Sequence, residues 1–180
     1  MTDKVIMKKD ELARKIKRLA SEIIDDAQGE ENLVLIGIHS KGVYLARRLK
    51  DEIKKYTGKD VPMGTLDITL YRDDFSRNPV QTKIKETKIE FDITGKYIVL
   101  VDDVIWSGRT IRAALDEIID FGRPDKVRLC VLIDRGGREL PIEPNFTGIS
   151  ISIKKNELIE VHSRDTDGKD EVIVTGVNKK

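Results

Sequence analysis

Apolar positions along the chain follow two different rhythms, and the alternation between them predicts the fold. In residues 10–28, Leu12, Ile16, Leu19, Ile23 and Ile24 recur near helical spacing, which predicts an amphipathic helix ended near Gly29. Residues 33–38 form a short unbroken apolar run, read as a strand. In residues 42–56, Leu45, Leu49 and Ile53 are interleaved with Arg and Lys, a second helix stopped by Thr57-Gly58. Residues 61–71 alternate in places and are rich in β-formers, so a strand is expected. Residues 72–82 turn polar, with Asp73, Asp74, Arg77, Asn78 and Pro79, and read as an exposed loop. Residues 82–91 alternate Lys and Glu with Ile84 and Ile89, a solvated ribbon, and 92–96 read as a turn. A buried strand at 97–101, a helical pattern at 111–121, a break at Gly122-Arg123-Pro124 and a second buried strand at 127–133 follow. Beyond 134 the pattern predicts short strands near 149–153, 158–161 and 171–175, with turns at Asn156 and Asp167-Gly168.

Strands and helices alternating through residue 133 predict an α/β fold, with a largely parallel sheet flanked by helices. Sites in such sheets lie beyond the carboxyl ends of the strands. Three loops meet that edge: 38–42, 102–110 and 134–138. The length, 180 residues, suits one domain with a substantial core. Lys and Arg number 33 against 32 Asp and Glu, a net charge of +1. A dedicated nucleic-acid binder shows a clearer basic excess. The one cysteine, Cys130, sits inside an apolar run and reads as a core residue. His39 and His162 are the only histidines, too few and too dispersed for a metal cluster, so no protein-ligated metal is expected. No segment approaches membrane-spanning length and no apolar N-terminal stretch resembles a signal peptide, so a cytoplasmic location is expected.

The stretch from Tyr97 to Thr110 carries the chemistry. Asp102 and Asp103 stand where the apolar strand is expected to end, and Ser107-Gly108-Arg109-Thr110 closes a short loop before the helix. Backbone amides of 107–110, with the Ser107 and Thr110 hydroxyls, can cradle a phosphate at a helix start, and Gly108 lets the anion approach. Carboxylates repel phosphate, so the acidic pair should face hydroxyls or reach the ligand through a divalent cation. A phosphorylated sugar presents both groups. The plainer alternative is that Asp103 or Ser107 only caps the helix. A nucleotide-triphosphate loop is excluded because its lysine and first glycine are missing, and GxGxxG is absent.

VLVDDVIWSGRT (99–110) resembles the phosphoribosyl-pyrophosphate loop of type I phosphoribosyltransferases. GIHSKGVYLARRL (37–49), GTLDITLYRDD (64–74), IRAALDEIIDFGRP (111–124) and VLIDRGGRELPIEPNFTGI (131–149) resemble the PyrR family within it. PyrR proteins are uracil phosphoribosyltransferases, some of which also bind pyrimidine-operon messenger RNA as attenuation regulators. The resemblance implies a single domain over 1–180, with a core at about 10–148, a small C-terminal hood at 149–178 and a flexible loop at 71–82. It implies transfer from 5-phosphoribosyl 1-pyrophosphate (PRPP) to uracil, giving UMP and pyrophosphate, with Mg²⁺ bound on the substrate diphosphate and a homodimer or larger homo-oligomer.

Residue by residue, the resemblance gives the ribose hydroxyls to Asp102 and Asp103, and the 5′-phosphate to Val104, Ser107, Gly108, Arg109 and Thr110. It gives pyrophosphate to His39, Ser40, Lys41 and Gly42, and the flexible loop to Tyr71, Arg72, Asp73 and Asp74. The base falls to Asp134, Arg135, Ile159, Glu160 and Val161. Arg14, Lys17, Arg18 and Arg138 are the candidate RNA contacts. The chain departs from the usual pattern in three places. His39-Ser40-Lys41-Gly42 stands for arginine-threonine-arginine-glycine, Trp106-Ser107 for tyrosine-threonine, and Arg135-Gly136-Gly137 for arginine-glycine-histidine. Trp106 either stacks on a ligand or pins its loop. Two alternatives stay open: an mRNA-binding or nucleotide-sensing regulator with weak catalysis, and a purine phosphoribosyltransferase.

Overall fold

A computed structural model describes residues 3–28, 31–68, 86–154 and 156–176. Five strands form the main sheet in the order β3-β2-β4-β5-β6, every neighbouring pair parallel: β2 Leu33–Ile38, β3 Met63–Leu66, β4 Tyr97–Ile105, β5 Lys126–Asp134 and β6 Phe146–Ser150. Helices α1 Lys9–Ala27, α2 Lys41–Thr57 and α3 Arg109–Phe121 connect and cover it.

The central strands are apolar without alternation because both of their faces are covered. Leu33, Leu35, Val99, Val101, Cys130 and Leu132 pack with Leu12, Ile16, Leu19 and Ile23 of α1 and Leu45, Leu49 and Ile53 of α2. The intervening residues Val34, Ile36, Ile98, Leu100, Leu129 and Val131 pack with Ile111, Ala114 and Ile118 of α3. The period-two alternation of each strand thus feeds two cores. Burying side chains of this size stabilises the fold by about 1.5–3 kcal/mol each. Helix ends match the sequence: Gln28 and Gly58 both take left-handed backbone after α1 and α2, with the Gly58 N–H donating to Lys54 O at 2.8 Å.

A second sheet, antiparallel and three-stranded, has the order β1-β8-β7: β1 Lys4–Lys8, β7 Glu157–His162 and β8 Glu171–Gly176. The short α4, Arg164–Asp167, lies between β7 and β8. The hydrophobic pattern leaves β1 unpredicted; its five residues become a strand by pairing with β8. The strand expected at 149–153 instead begins at Phe146, where Asn145 exchanges hydrogen bonds with Leu129 and opens the β5–β6 ladder. Of the strand expected at 61–71, the described residues show β3, while residues 69–71 and the flexible-loop residues Tyr71, Arg72, Asp73 and Asp74 lie outside the described residues. Among the described residues no helix is long and apolar enough to cross a membrane.

Candidate active site

The acidic pair does not end its strand. Asp102 pairs in register with Val131, and β4 continues to Ile105. Aspartate disfavours strands, so the apolar pattern stops short of where the ladder stops. Asp102 is only 7% exposed. The Asp103 N–H donates to Asp102 Oδ1 at 2.9 Å, and the Val104 N–H to Asp103 Oδ1 at 2.9 Å. Burial, then the neighbouring charge of Asp103, pushes the Asp102 carboxyl well above the usual carboxylate range. Burial raises Asp103 too, against the hydrogen bond from Asp102 and the charge of Lys41. Two carboxyls this close titrate together, so ionising one opposes ionising the other. Carboxylate oxygens accept hydrogen bonds, which suits adjacent sugar hydroxyls.

Two helices begin beside this pair. The loop expected at 38–42 shrinks to His39 and Ser40, joined by a cis peptide bond, because β2 ends at Ile38 and Lys41 and Gly42 already open α2. His39 donates its N–H to Leu66 O at 2.9 Å, tying the loop to the end of β3. Gly42 sets the approach of α2 to β4: a Cβ there would lie 2.3 Å from Val101 O and 3.0 Å from Asp102 Cα. The α3 N-terminus follows Gly108, which has φ +91° and caps the helix with no side-chain cap. The amides of the first turn of α3 have no acceptor within the helix, the feature that lets a helix start hold an anion. Ser107 Oγ accepts the Arg109 N–H at 3.3 Å, and Thr110 is half-buried in the first turn. The Arg109 side chain turns away to Glu139, Nε to Oε2 at 2.7 Å, so its contribution to the cradle is its backbone. Val104 packs into the core and bears on the site only through the course of β4.

Lys41 Nζ donates to Thr166 Oγ1 at 2.8 Å and pairs with Asp167. Asp167 also accepts from the Thr166 hydroxyl at 2.6 Å and the Ser163 N–H at 2.8 Å, and these contacts hold its carboxyl far below the usual range. Sequence reasoning missed this link; the turn at Asp167-Gly168 was visible, but its docking on α2 depends on the tertiary path. A cleft between the two sheets is lined by Lys41, Tyr44, Asp103, Leu132, Val161 and His162. Val161 and Ile159 face inward from β7. Glu160 is exposed, and Thr175 donates to it at 3.2 Å, so its side chain points away from the cleft. As an edge strand, β7 keeps one side of its backbone free of strand partners.

The third loop follows β5. Asp134 accepts from the Gly136 N–H at 2.9 Å and from Arg138 Nη2 at 2.7 Å. Burial alone would raise its carboxyl, but Arg138 and Gly136 bring it below the ordinary value. Gly136 and Gly137 both take positive φ. Arg135 lies over the Trp106 ring, its guanidinium carbon 4.4 Å from the centroid. Of the candidate RNA contacts, Arg138 is spent internally, since it also donates to Ile142 O at 2.7 Å and Trp106 O at 3.1 Å. Arg18 donates to Thr147 O at 2.7 Å and Gly148 O at 2.8 Å, fixing α1 on β6. Arg14 and Lys17 are exposed on α1. Among the described residues, no three His, Cys, Asp or Glu side chains come together so as to hold a metal ion.

Known proteins resemble this chain. A phosphoribosyl transferase domain model matches residues 5–175. The bifunctional protein PyrR of Thermus aquaticus is 48% identical over 93% of this chain and 92% of its own. That of Microcystis aeruginosa is 50% identical over 93% of this chain and 94% of its own. Among solved structures, the hypoxanthine phosphoribosyltransferase of Trypanosoma cruzi superposes with a TM-score of 0.74 at 18% identity, covering 97% of each chain. A hypoxanthine-guanine phosphoribosyltransferase of Bacillus anthracis gives a TM-score of 0.72 at 23% identity, covering 98% of this chain and 100% of the other. At these identities the structural matches speak for the fold.

Proposed function

The chain belongs to the phosphoribosyltransferase family and, within it, to the PyrR proteins, and on that premise we propose that it transfers the phosphoribosyl group of PRPP to uracil. One observation carries the reading: two helix N-termini, α2 and α3, flank the buried Asp102 and half-buried Asp103 at the carboxyl edge of the parallel sheet. The α3 amides and the Ser107 and Thr110 hydroxyls hold the 5′-phosphate. Asp102 and Asp103 hold the ribose hydroxyls. Residues 39–42, with Lys41 as the cation, receive the pyrophosphate. Asp134, Arg135 and the free backbone edge of β7 at Ile159 and Val161 surround the base, with β1, β7 and β8 together serving as the hood. On the same reading, Tyr71 to Asp74 have the role of excluding water from the activated sugar.

The bond from C1 of the ribose to pyrophosphate breaks, the bond from C1 to N1 of uracil forms, and the N1 proton is released. Positive charge grows on the ribose ring and negative charge on the leaving pyrophosphate, so preorganised charge is needed more than a nucleophile. Mg²⁺ enters as part of the substrate, on the diphosphate, where it supplies charge neutralisation. The same reading places the activity in the cytoplasm and in a homodimer, for which exposed Ile119 and Phe121 of α3 offer apolar surface. Binding of pyrimidine-operon mRNA has less support, because Arg138 and Arg18 are engaged within the fold.

Pyrophosphate release from Mg²⁺–PRPP, screened against uracil, hypoxanthine, guanine, xanthine, adenine and orotate, tests the proposal. Release with uracil is expected, and its loss in an Asp102→Asn, Asp103→Asn double variant. Release with a purine alone would replace uracil, and silence with every base would overturn the enzymatic reading.

A further inference from the structure

Trp106, the only tryptophan, is 49% exposed in the loop that leads into the phosphate cradle. Two explanations compete for a bulky aromatic there, pinning of the loop or presentation of a face. The pinning is already done by another residue. Arg138 crosses between the two loops through Trp106 O at 3.1 Å, Asp134 Oδ2 at 2.7 Å and Ile142 O at 2.7 Å. Ser107 O accepts the Glu139 and Leu140 amides at 2.9 and 3.1 Å, a second crossing. None of these bonds uses the indole.

What the indole does touch is the turn after β5. A Cβ at Gly137 would lie 2.9 Å from Trp106 Nε1, so the ring edge fills the space that any side chain at 137 would need. The ring face carries the Arg135 guanidinium, 4.4 Å from its centroid. Burial lowers the Arg135 pKa, as expected of a guanidinium drawn partly out of water. Tryptophan is the best ring for such a pairing, and arginine its more frequent cation.

We infer that Trp106 is a positioning residue, a plate that holds the Arg135 guanidinium on the base side of the site. This rests on the phosphoribosyltransferase reading above. A long, rotamer-rich side chain gains most from such a plate, because its freedom is lost before the ligand arrives.

The test is calorimetric titration of UMP and of ribose 5-phosphate into the full chain and its Trp106→Phe, Trp106→Ala, Arg135→Ala and doubly substituted (Trp106→Ala, Arg135→Ala) forms. Trp106→Ala is expected to weaken UMP about tenfold and to leave ribose 5-phosphate within about twofold. Arg135→Ala should give the same loss, the double form no further loss, and Trp106→Phe most of the wild-type affinity. Emission of the single tryptophan should change in Arg135→Ala without ligand. Parallel loss of both ligands in Trp106→Ala, losses that multiply in the double form, or unchanged emission would overturn this inference alone. A wild-type chain that binds neither ligand would overturn the phosphoribosyltransferase reading and this inference with it.

Discussion

Two buried carboxyls set the chemistry and the stability of single positions against each other. Asp102 has its pKa raised in the folded chain, first by burial and then by Asp103. A raised carboxyl binds its proton more tightly when folded, so its contribution to stability falls as pH climbs above the unfolded value. Asp102→Asn removes that cost. The variant should be as stable as the wild type near pH 4 and on the order of 1 kcal/mol more stable at pH 8, while turnover falls at least a hundredfold; denaturant melts at both pH values with a turnover assay check it. Glu117, on the inner face of α3, is 5% exposed, accepts from Thr87 Oγ1 at 2.7 Å through one oxygen and has no hydrogen-bond partner for the other. Burial raises it, with Asp67 and Asp120 adding to the shift and Thr87 opposing it. Glu117→Gln keeps the acceptor for Thr87 and deletes the charge. It should add about 1 kcal/mol at neutral pH, a gain that disappears as the medium is acidified to pH 4. A gain that persists at pH 4 would contradict the charge-based account.

The elements place the site through close approaches that only glycine permits. Gly42→Ala would drive a methyl against Val101 O and Asp102 Cα, so α2 must lift from β4 and carry the loop 39–42 away from the acidic pair. A loss of about 1–3 kcal/mol is expected, with the KM for PRPP rising more than kcat falls; urea melts and steady-state kinetics measure both. Elements with a full apolar face were legible in the chain: α1, α2 and α3 announce themselves by period, β2 and β5 as unbroken apolar runs. The residues of β1 and the start of β6 were not, since β1 owes its state to β8, far along the chain, and β6 opens at a side-chain bridge from Asn145. That three segments near 39–42, 102–110 and 134–138 meet at the sheet edge was legible from residue type and place. Their bounds were not: β4 runs on to Ile105 and α2 already begins at Lys41. Asp167 on Lys41, the Thr87–Glu117 contact and the Arg135–Trp106 stack were not, because each joins positions that only the folded path brings together.

At the scale of the molecule, the two sheets are joined by charge as well as by the apolar packing of β7. Lys41 pairs with Asp167, and Arg48 Nη1 lies 3.3 Å from Asp170. Because Lys41 holds Asp167 below the ordinary carboxylate range, that pair's stabilisation is present at neutral pH and is lost as pH falls through the folded value. Asp167→Asn should therefore cost about 0.5 kcal/mol at pH 7 and nothing once the wild-type carboxyl is protonated, read from thermal melts across the acid range. The same lysine lies at the edge of the cleft that holds Asp103 and Val161, so the contact between the sheets and the proposed pyrophosphate site share one cation. The cleft is thus lined from both sheets. The most direct measurement is conversion of labelled uracil to UMP by the purified protein with Mg²⁺ and PRPP, beside the Asp102→Asn, Asp103→Asn variant. PRPP-dependent UMP from the wild type and none from the variant is the result predicted. No UMP from the wild type, or equal amounts from both, would contradict a phosphoribosyl-transfer site built on that carboxyl pair.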